Sequence, residues 1–173
     1  MKIGFCGTMS VGKTTLVNEL AKLPEFKNYT SRTERSKHLM DLGIPLNMDS
    51  TLKGQFVFAA ERASELLCGK ILTDRTVIDV MAFCELSSSM TANEAFYLNS
   101  ALGHLIDDYD YLFYVSPVGV KIEDNGVRET DIKYRDEINK KILNILDLRE
   151  IKYTTIQGIT EERIKQVKQT IFL

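Results

Sequence analysis

Near the start of the chain, KIGFCGTMSVGKTTL (residues 2–16) joins a short, almost continuous apolar run to a glycine-spaced turn and then to a helix pattern. An apolar run of that length suits a parallel strand buried on both faces. Behind the turn, Leu16, Leu20 and Leu23 recur at helical spacing. Between the two, Gly7-x-x-x-x-Gly12-Lys13-Thr14 sets glycines where the backbone must turn tightly around an anion. The following helix would aim its positive end at the same anion. Gly7, Thr8, Met9, Ser10, Val11, Gly12, Lys13, Thr14 and Thr15 are therefore expected to cradle the phosphates of ATP. In that arrangement the Lys13 ammonium reaches the β- and γ-phosphates and the Thr14 hydroxyl ligates Mg²⁺.

Beyond the loop the chain alternates between the two periods. Extended patterns at 28–30, 70–74, 109–115 and 152–158 are interleaved with helix patterns within 34–43 and over 50–68, 77–86, 91–106, 131–148 and from 160 onward. Asp49 or Ser50 is the expected cap of the long helix, Thr91 with Glu94 forms a capping box, and Thr160 caps the last helix. Alternating β and α with apolar strands implies an α/β fold of three layers, a mainly parallel sheet covered on both faces, with ligands above the carboxyl ends of the strands. At 173 residues, without repeats or a Pro/Gly-rich linker, the chain is expected to form a single domain. The formal charge of -2 supplies no global field for a nucleic acid or an anionic membrane. No apolar run approaches the roughly 20 residues of a membrane span, and the N-terminus enters a strand directly, so a cytoplasmic location without a membrane partner is expected. Cys6, Cys68 and Cys84 are odd in number and widely spaced, which suits small core residues.

Three further segments carry chemistry. In TDRTVID, Asp74 stands at the carboxyl end of a strand beside the loop, where it would hold Mg²⁺ through water or accept a substrate proton. Arg75 is a forked donor suited to phosphate or to a charged substrate, and Asp79 stands about one helical turn on, within reach of Arg75. Residues 116–135 form a polar insertion with turn chemistry at Asp124-Asn125-Gly126; Arg128 and Arg135 are its candidates for closing over phosphates. Arg135, with Asp131 and Asp136 nearby, suits a solvated ion pair equally well. Between the first helix and the long one, SRTERSKH is the most basic cluster: Glu34 would read a sugar hydroxyl or base edge, while Arg32 or Arg35 would bind an acceptor phosphate. Phe56 and Phe58 would suit stacking on a base, but aromatics in such a helix are read as core.

The strand with GTMSVGKTTL, the DRTVID element, YVSP, and EDNGVR with its following helix together resemble the small AAA-type P-loop proteins related to the nicotinamide riboside kinase domain of bifunctional NAD-salvage enzymes. The resemblance spans nearly the whole chain as an order of motifs. It implies a nucleoside-kinase-like P-loop fold with five strands in the order 2-3-1-4-5 and a lid after the fourth. It further implies ATP with Mg²⁺ as cofactors and γ-phosphoryl transfer to a small-molecule acceptor. Family roles fall on Lys13, Thr14, Asp74 and Arg128. The segment 30–55, where the acceptor would be recognised, carries no signature for nicotinamide riboside. A kinase acting on a nucleotide within DNA and a nucleotide-dependent regulatory ATPase are the two other expectations, and monomer and homodimer are both compatible with the chain.

Overall fold

The computed structural model describes residues 1–33, 35–120 and 131–172. Five strands, β1 (Lys2–Cys6), β2 (Thr30–Arg32), β3 (Ile71–Asp74), β4 (Tyr111–Val115) and β5 (Thr154–Ile156), form one sheet in the order β2-β3-β1-β4-β5. Every pairing is parallel. The seven helices among the described residues are α1 (Lys13–Ala21), α2 (Ser36–Asp41), α3 (Leu52–Glu65), α4 (Val77–Glu85), α5 (Ala92–Gly103), α6 (Ile132–Leu148) and α7 (Thr160–Phe172). The three-layer α/β/α architecture, the strand order and an insertion between β4 and α6 thus match the expectation. Of that insertion, residues 121–130 lie outside the described residues, as does Glu34.

The period of two along each strand divides the core. Ile3 and Phe5 of β1, Leu72 of β3, and Phe113 and Val115 of β4 point to one face, where they pack with Leu16, Val17 and Leu20 of α1 and Val167 of α7. Phe5 and Phe113 stack there with centroids 5.4 Å apart. Cys6, Leu112 and Tyr114 point to the other face, against α3, α4, α5 and α6. A wholly buried side chain such as Phe113 stabilises the fold by about 1.5–3 kcal/mol. Cys6 and Cys84 are core residues as expected, and Cys68 is half-buried.

Several boundaries differ from the sequence reading for local reasons. Thr51 caps α3, accepting from the Gly54 N–H, because Asp49 closes a 3₁₀ turn and the Ser50 hydroxyl is taken by Gln55. β2 begins at Thr30 rather than 28, since Tyr29 N–H is held by the Phe26 carbonyl at the end of the preceding turn. α5 stops at Gly103, and residues 106–108 form a separate 3₁₀ turn. Phe58 is buried but Phe56 is 54% exposed, because residues two apart on a helix face nearly opposite directions. Among the described residues no helix is long and apolar enough to cross a membrane.

The capping box of α5 lies on the surface, with Thr91 and Glu94 exchanging side-chain and backbone hydrogen bonds. Thr91→Ala is expected to lower the unfolding free energy by about 1 kcal/mol. Denaturant titration followed by circular dichroism checks this, with the slope unchanged.

Candidate active site

The parallel register of β1 and β3 pairs Phe5 with Asp74, so the acid that ends β3 stands beside the loop that leaves β1. Within that loop Gly7 adopts φ 151° and Gly12 φ 84°. A Cβ on Gly7 would come within 2.8 Å of the Val115 carbonyl, and one on Gly12 within 3.1 Å of Arg163, so bulk is excluded as well as conformation selected. Lys13, buried, turns its ammonium back into the loop and donates to the carbonyls of Gly7 (2.6 Å) and Thr8 (2.9 Å). The Thr14 hydroxyl donates to Asp74 Oδ2, and Asp74 is only 1% exposed. A cleft lined by Met9, Ser10, Gly12, Lys13, Thr14 and Asp74 opens above the loop. Thr8 is buried and its hydroxyl donates to the Arg135 carbonyl, while Thr15 is exposed on α1.

A second, more enclosed pocket lies at the same end of the sheet between α2, α3 and α4. Ser36, Asn47, Gln55, Phe58 and Phe83 line it, and Arg75 lines both this pocket and the cleft above the loop. Arg75 is held in a left-handed conformation (φ 80°), its N–H donated to the Phe5 carbonyl. Its guanidinium lies 4.8 Å from the centre of the Phe83 ring. Four non-glycine residues among those described have positive φ, and three of them, Ser10, Asn47 and Arg75, line these two pockets. Such strain costs about 1–3 kcal/mol per residue and gathers at functional sites.

The other sequence candidates fall in different places. Asp79 turns toward the loop: it is fully buried, its Oδ1 accepts from the Gly7 N–H (3.1 Å), and its Oδ2 accepts from the Thr76 N–H (2.7 Å) and hydroxyl (2.9 Å). It therefore closes the capping box of α4 and pins the first peptide of the loop. Arg135 is buried and turns to the loop rather than to Asp131 or Asp136. Its Nε donates to the Met9 carbonyl (3.2 Å) and its Nη1 to the Val120 carbonyl (3.0 Å). Arg32 and Arg35 are exposed, with Arg35 3.6 Å from Glu61. Glu34 and Arg128 lie outside the described residues.

Two buried arginines escaped the sequence reading. Arg62 of α3 bonds Glu65 (2.7 Å) and reaches the Asp74 carbonyl at 3.4 Å, while Glu65 accepts from the Thr73 hydroxyl at 2.6 Å. Burial, the largest influence, raises the pKa of Glu65 against the lowering by Arg62 and Thr73. Arg163 of α7 donates to the Val11 carbonyl from behind the loop. A helical Arg with Glu three residues on reads as a solvated pair, and nothing local marks either arginine as interior. Burial also pushes the Cys6 thiol well up, with Asp79 adding to it, and Cys84 to about 12, so neither supplies a thiolate near neutral pH.

A parallel sheet in this order, with a glycine loop between β1 and α1 and an acid at the end of β3, defines a P-loop nucleotide-binding fold. The family model described as AAA domain matches residues 2–163, and the chain belongs to that family. Among solved structures it is similar to deoxyadenosine kinase from M. mycoides with bound dCTP (TM-score 0.67, 16% identity, covering 99% of this chain and 98% of that one). It is also similar to NadR protein in complex with NR (TM-score 0.73, 18% identity), covering 96% of this chain and 50% of that one. Thymidylate kinase from Ehrlichia chaffeensis matches at a TM-score of 0.65 and 15% identity, over 100% of this chain and 98% of that one. At these identities the likeness is one of fold. No curated protein matches the chain in sequence.

Asp79→Ala is expected to leave two buried N–H groups, those of Gly7 and Thr76, without acceptors. Each costs about 1–3 kcal/mol, and the drop is measured by urea unfolding against Asp79→Asn, which keeps one acceptor oxygen.

Proposed function

We propose that the protein is an ATP-dependent phosphotransferase that moves the γ-phosphoryl group of ATP to a nucleoside, a nucleotide or a related small acceptor. The observation that carries this reading is Arg75: one strained arginine shared by the cleft over the glycine loop, which Asp74 also lines, and by a neighbouring pocket. A hydrolase or switch needs the first cavity alone, whereas transfer needs two that meet.

The residues present fit both cofactors. Gly7 and Gly12, where a Cβ would strike the Val115 carbonyl and Arg163, let the backbone curl into a loop, and Lys13 brings a cation into it. The Thr14 hydroxyl and Asp74 carboxylate, already in contact, are a pair of hard oxygen donors. Mg²⁺ takes the rest of its shell from water and phosphate oxygens and needs no larger acidic cluster, and none is present among the described residues. Held by Thr14 and Asp74, Mg²⁺ would supply positive charge to offset that of the terminal phosphates. Lys13 and the loop N–H groups orient the phosphate tail, and their preorganised dipoles meet the charge that spreads over equatorial oxygens as the γ-phosphoryl leaves. Because Asp74 Oδ2 touches the Thr14 hydroxyl, its role here is to anchor the metal together with Thr14. In the second pocket, Phe58 and Phe83 offer flat apolar walls and Gln55 an amide edge, a combination suited to a planar base. Arg75, at the seam, would steady the acceptor group that attacks.

Incubation with γ-labelled ATP and a panel of nucleosides, nucleotides and DNA tests the reading. Label on a small acceptor supports it; label on DNA alone, or released only as phosphate, overturns it. Lys13→Ala is expected to lower kcat/KM steeply with unchanged circular dichroism. Asp74→Asn is expected to lower turnover roughly 10²-fold or more and to raise the Mg²⁺ concentration needed for half-maximal rate. A loss of turnover without that metal shift would assign Asp74 to the acceptor's proton instead.

A further inference from the structure

Behind the phosphate loop stand two buried cations with no counter-ion among the described residues. Arg163 is 4% exposed and Arg135 8%. Neither forms an ion pair there, and each leaves one buried guanidinium nitrogen unpaired, Nε of Arg163 and Nη2 of Arg135. Both lie in the first turn of a helix, α7 and α6 respectively, where the helix dipole disfavours a positive charge. The acids of the α7 first turn do not compensate, since Glu162 caps the Ile159 N–H and no contact joins Glu161 or Glu162 to Arg163. Burial lowers the pKa of both arginines; among the described residues the one carboxylate acting on either is Asp136 beside Arg135, whose influence is smaller. Asp79, the acid pinned to the far end of the loop at Gly7, is committed to Gly7 and Thr76. Yet both guanidinium groups converge on alternate carbonyls of the loop, Met9 for Arg135 and Val11 for Arg163.

We infer that Arg135 and Arg163 are rear positioning cations of the phosphate loop, whose missing counter-charge is the phosphate tail of the bound nucleotide. By drawing the Met9 and Val11 carbonyls backward they turn the intervening N–H groups forward, and their charge adds to that of Lys13 across the thickness of one strand of backbone. Desolvated cations without an ion-pair partner among the described residues disfavour the empty protein and favour the one holding an anion. The inference rests on the loop being a triphosphate site, but not on where the phosphoryl group is sent.

Inorganic tripolyphosphate, which carries the charge and no base or sugar, is the probe. Its Kd, and that of MgATP, are measured by calorimetry for wild type, Arg163→Met, Arg163→Gln and Arg163→Lys, each with its ligand-free melting temperature. Arg163→Met and Arg163→Gln are expected to weaken tripolyphosphate binding about tenfold or more, and Arg163→Lys, which keeps the charge, by less than about threefold. Arg163→Met is also expected to melt at or above the wild-type temperature when ligand-free, while its stabilisation by tripolyphosphate shrinks. A purely structural arginine would do the reverse: a lower melting temperature with the tripolyphosphate Kd unchanged in a folded Met or Gln variant, and that result overturns the inference. Equal loss in Arg163→Lys also overturns it. A wild type that binds neither tripolyphosphate nor ATP defeats the phosphotransferase reading too, whereas tight binding without transfer to any acceptor defeats that reading alone.

Discussion

The structure depends on one pairing, that of β1 with β3 in parallel register. Because Phe5 lies opposite Asp74, two chain reversals that are distant in sequence emerge side by side: the glycine loop at 7–12 and the turn at 74–76. Backbone contacts then bind them further, through the Arg75 N–H on the Phe5 carbonyl and the Asp79 carboxylate on the Gly7 N–H. A slip of one residue would turn β3's side chains to the opposite face and move Asp74 away from Thr14. The sheet core, with Phe5 stacked on Phe113 and Ile3 and Leu72 buried beside them, resists that slip.

Around this junction the protein concentrates features that are unfavourable elsewhere. Ser10, Asn47 and Arg75 occupy left-handed backbone, Arg62, Arg135 and Arg163 are buried, and Asp74 and Asp79 are carboxylates almost without solvent. Each charge is held by hydrogen bonds to backbone or by a buried partner, which is the condition for tolerating it inside a protein. The arrangement is an electrostatic frame set around the loop by the fold itself.

The similar folds include deoxyadenosine kinase and thymidylate kinase, named for different nucleosides or nucleotides, and NadR in complex with NR. A shared fold therefore identifies the donor machinery more firmly than the acceptor. In this chain the pocket beside the cleft is built from α2, α3, α4 and the turn before α3, whose residues Ser36, Asn47, Gln55 and Phe83 obey no spacing rule that the glycine loop would dictate. Variation there can reshape that pocket while the loop, the sheet and the acid remain the same.

What the sequence determined by itself is local. The glycine loop, the alternation of strand and helix, the acid ending β3 and the capping box at Thr91 all arise from spacing within a dozen residues, where backbone geometry and side-chain chemistry act directly. The strand order came from the resemblance, which the sheet bears out. Tertiary structure decided the rest. Asp79, read as a partner of Arg75, and Arg135, read as closing over phosphates or as a solvated ion pair, bond the backbone of the glycine loop, and Arg62 and Arg163, unread, lie inside. Whether a helical arginine meets water or the Val11 carbonyl 152 residues away depends on which face of α7 the sheet covers. That choice is made by long-range burial, and a charged residue's own neighbours carry no record of it.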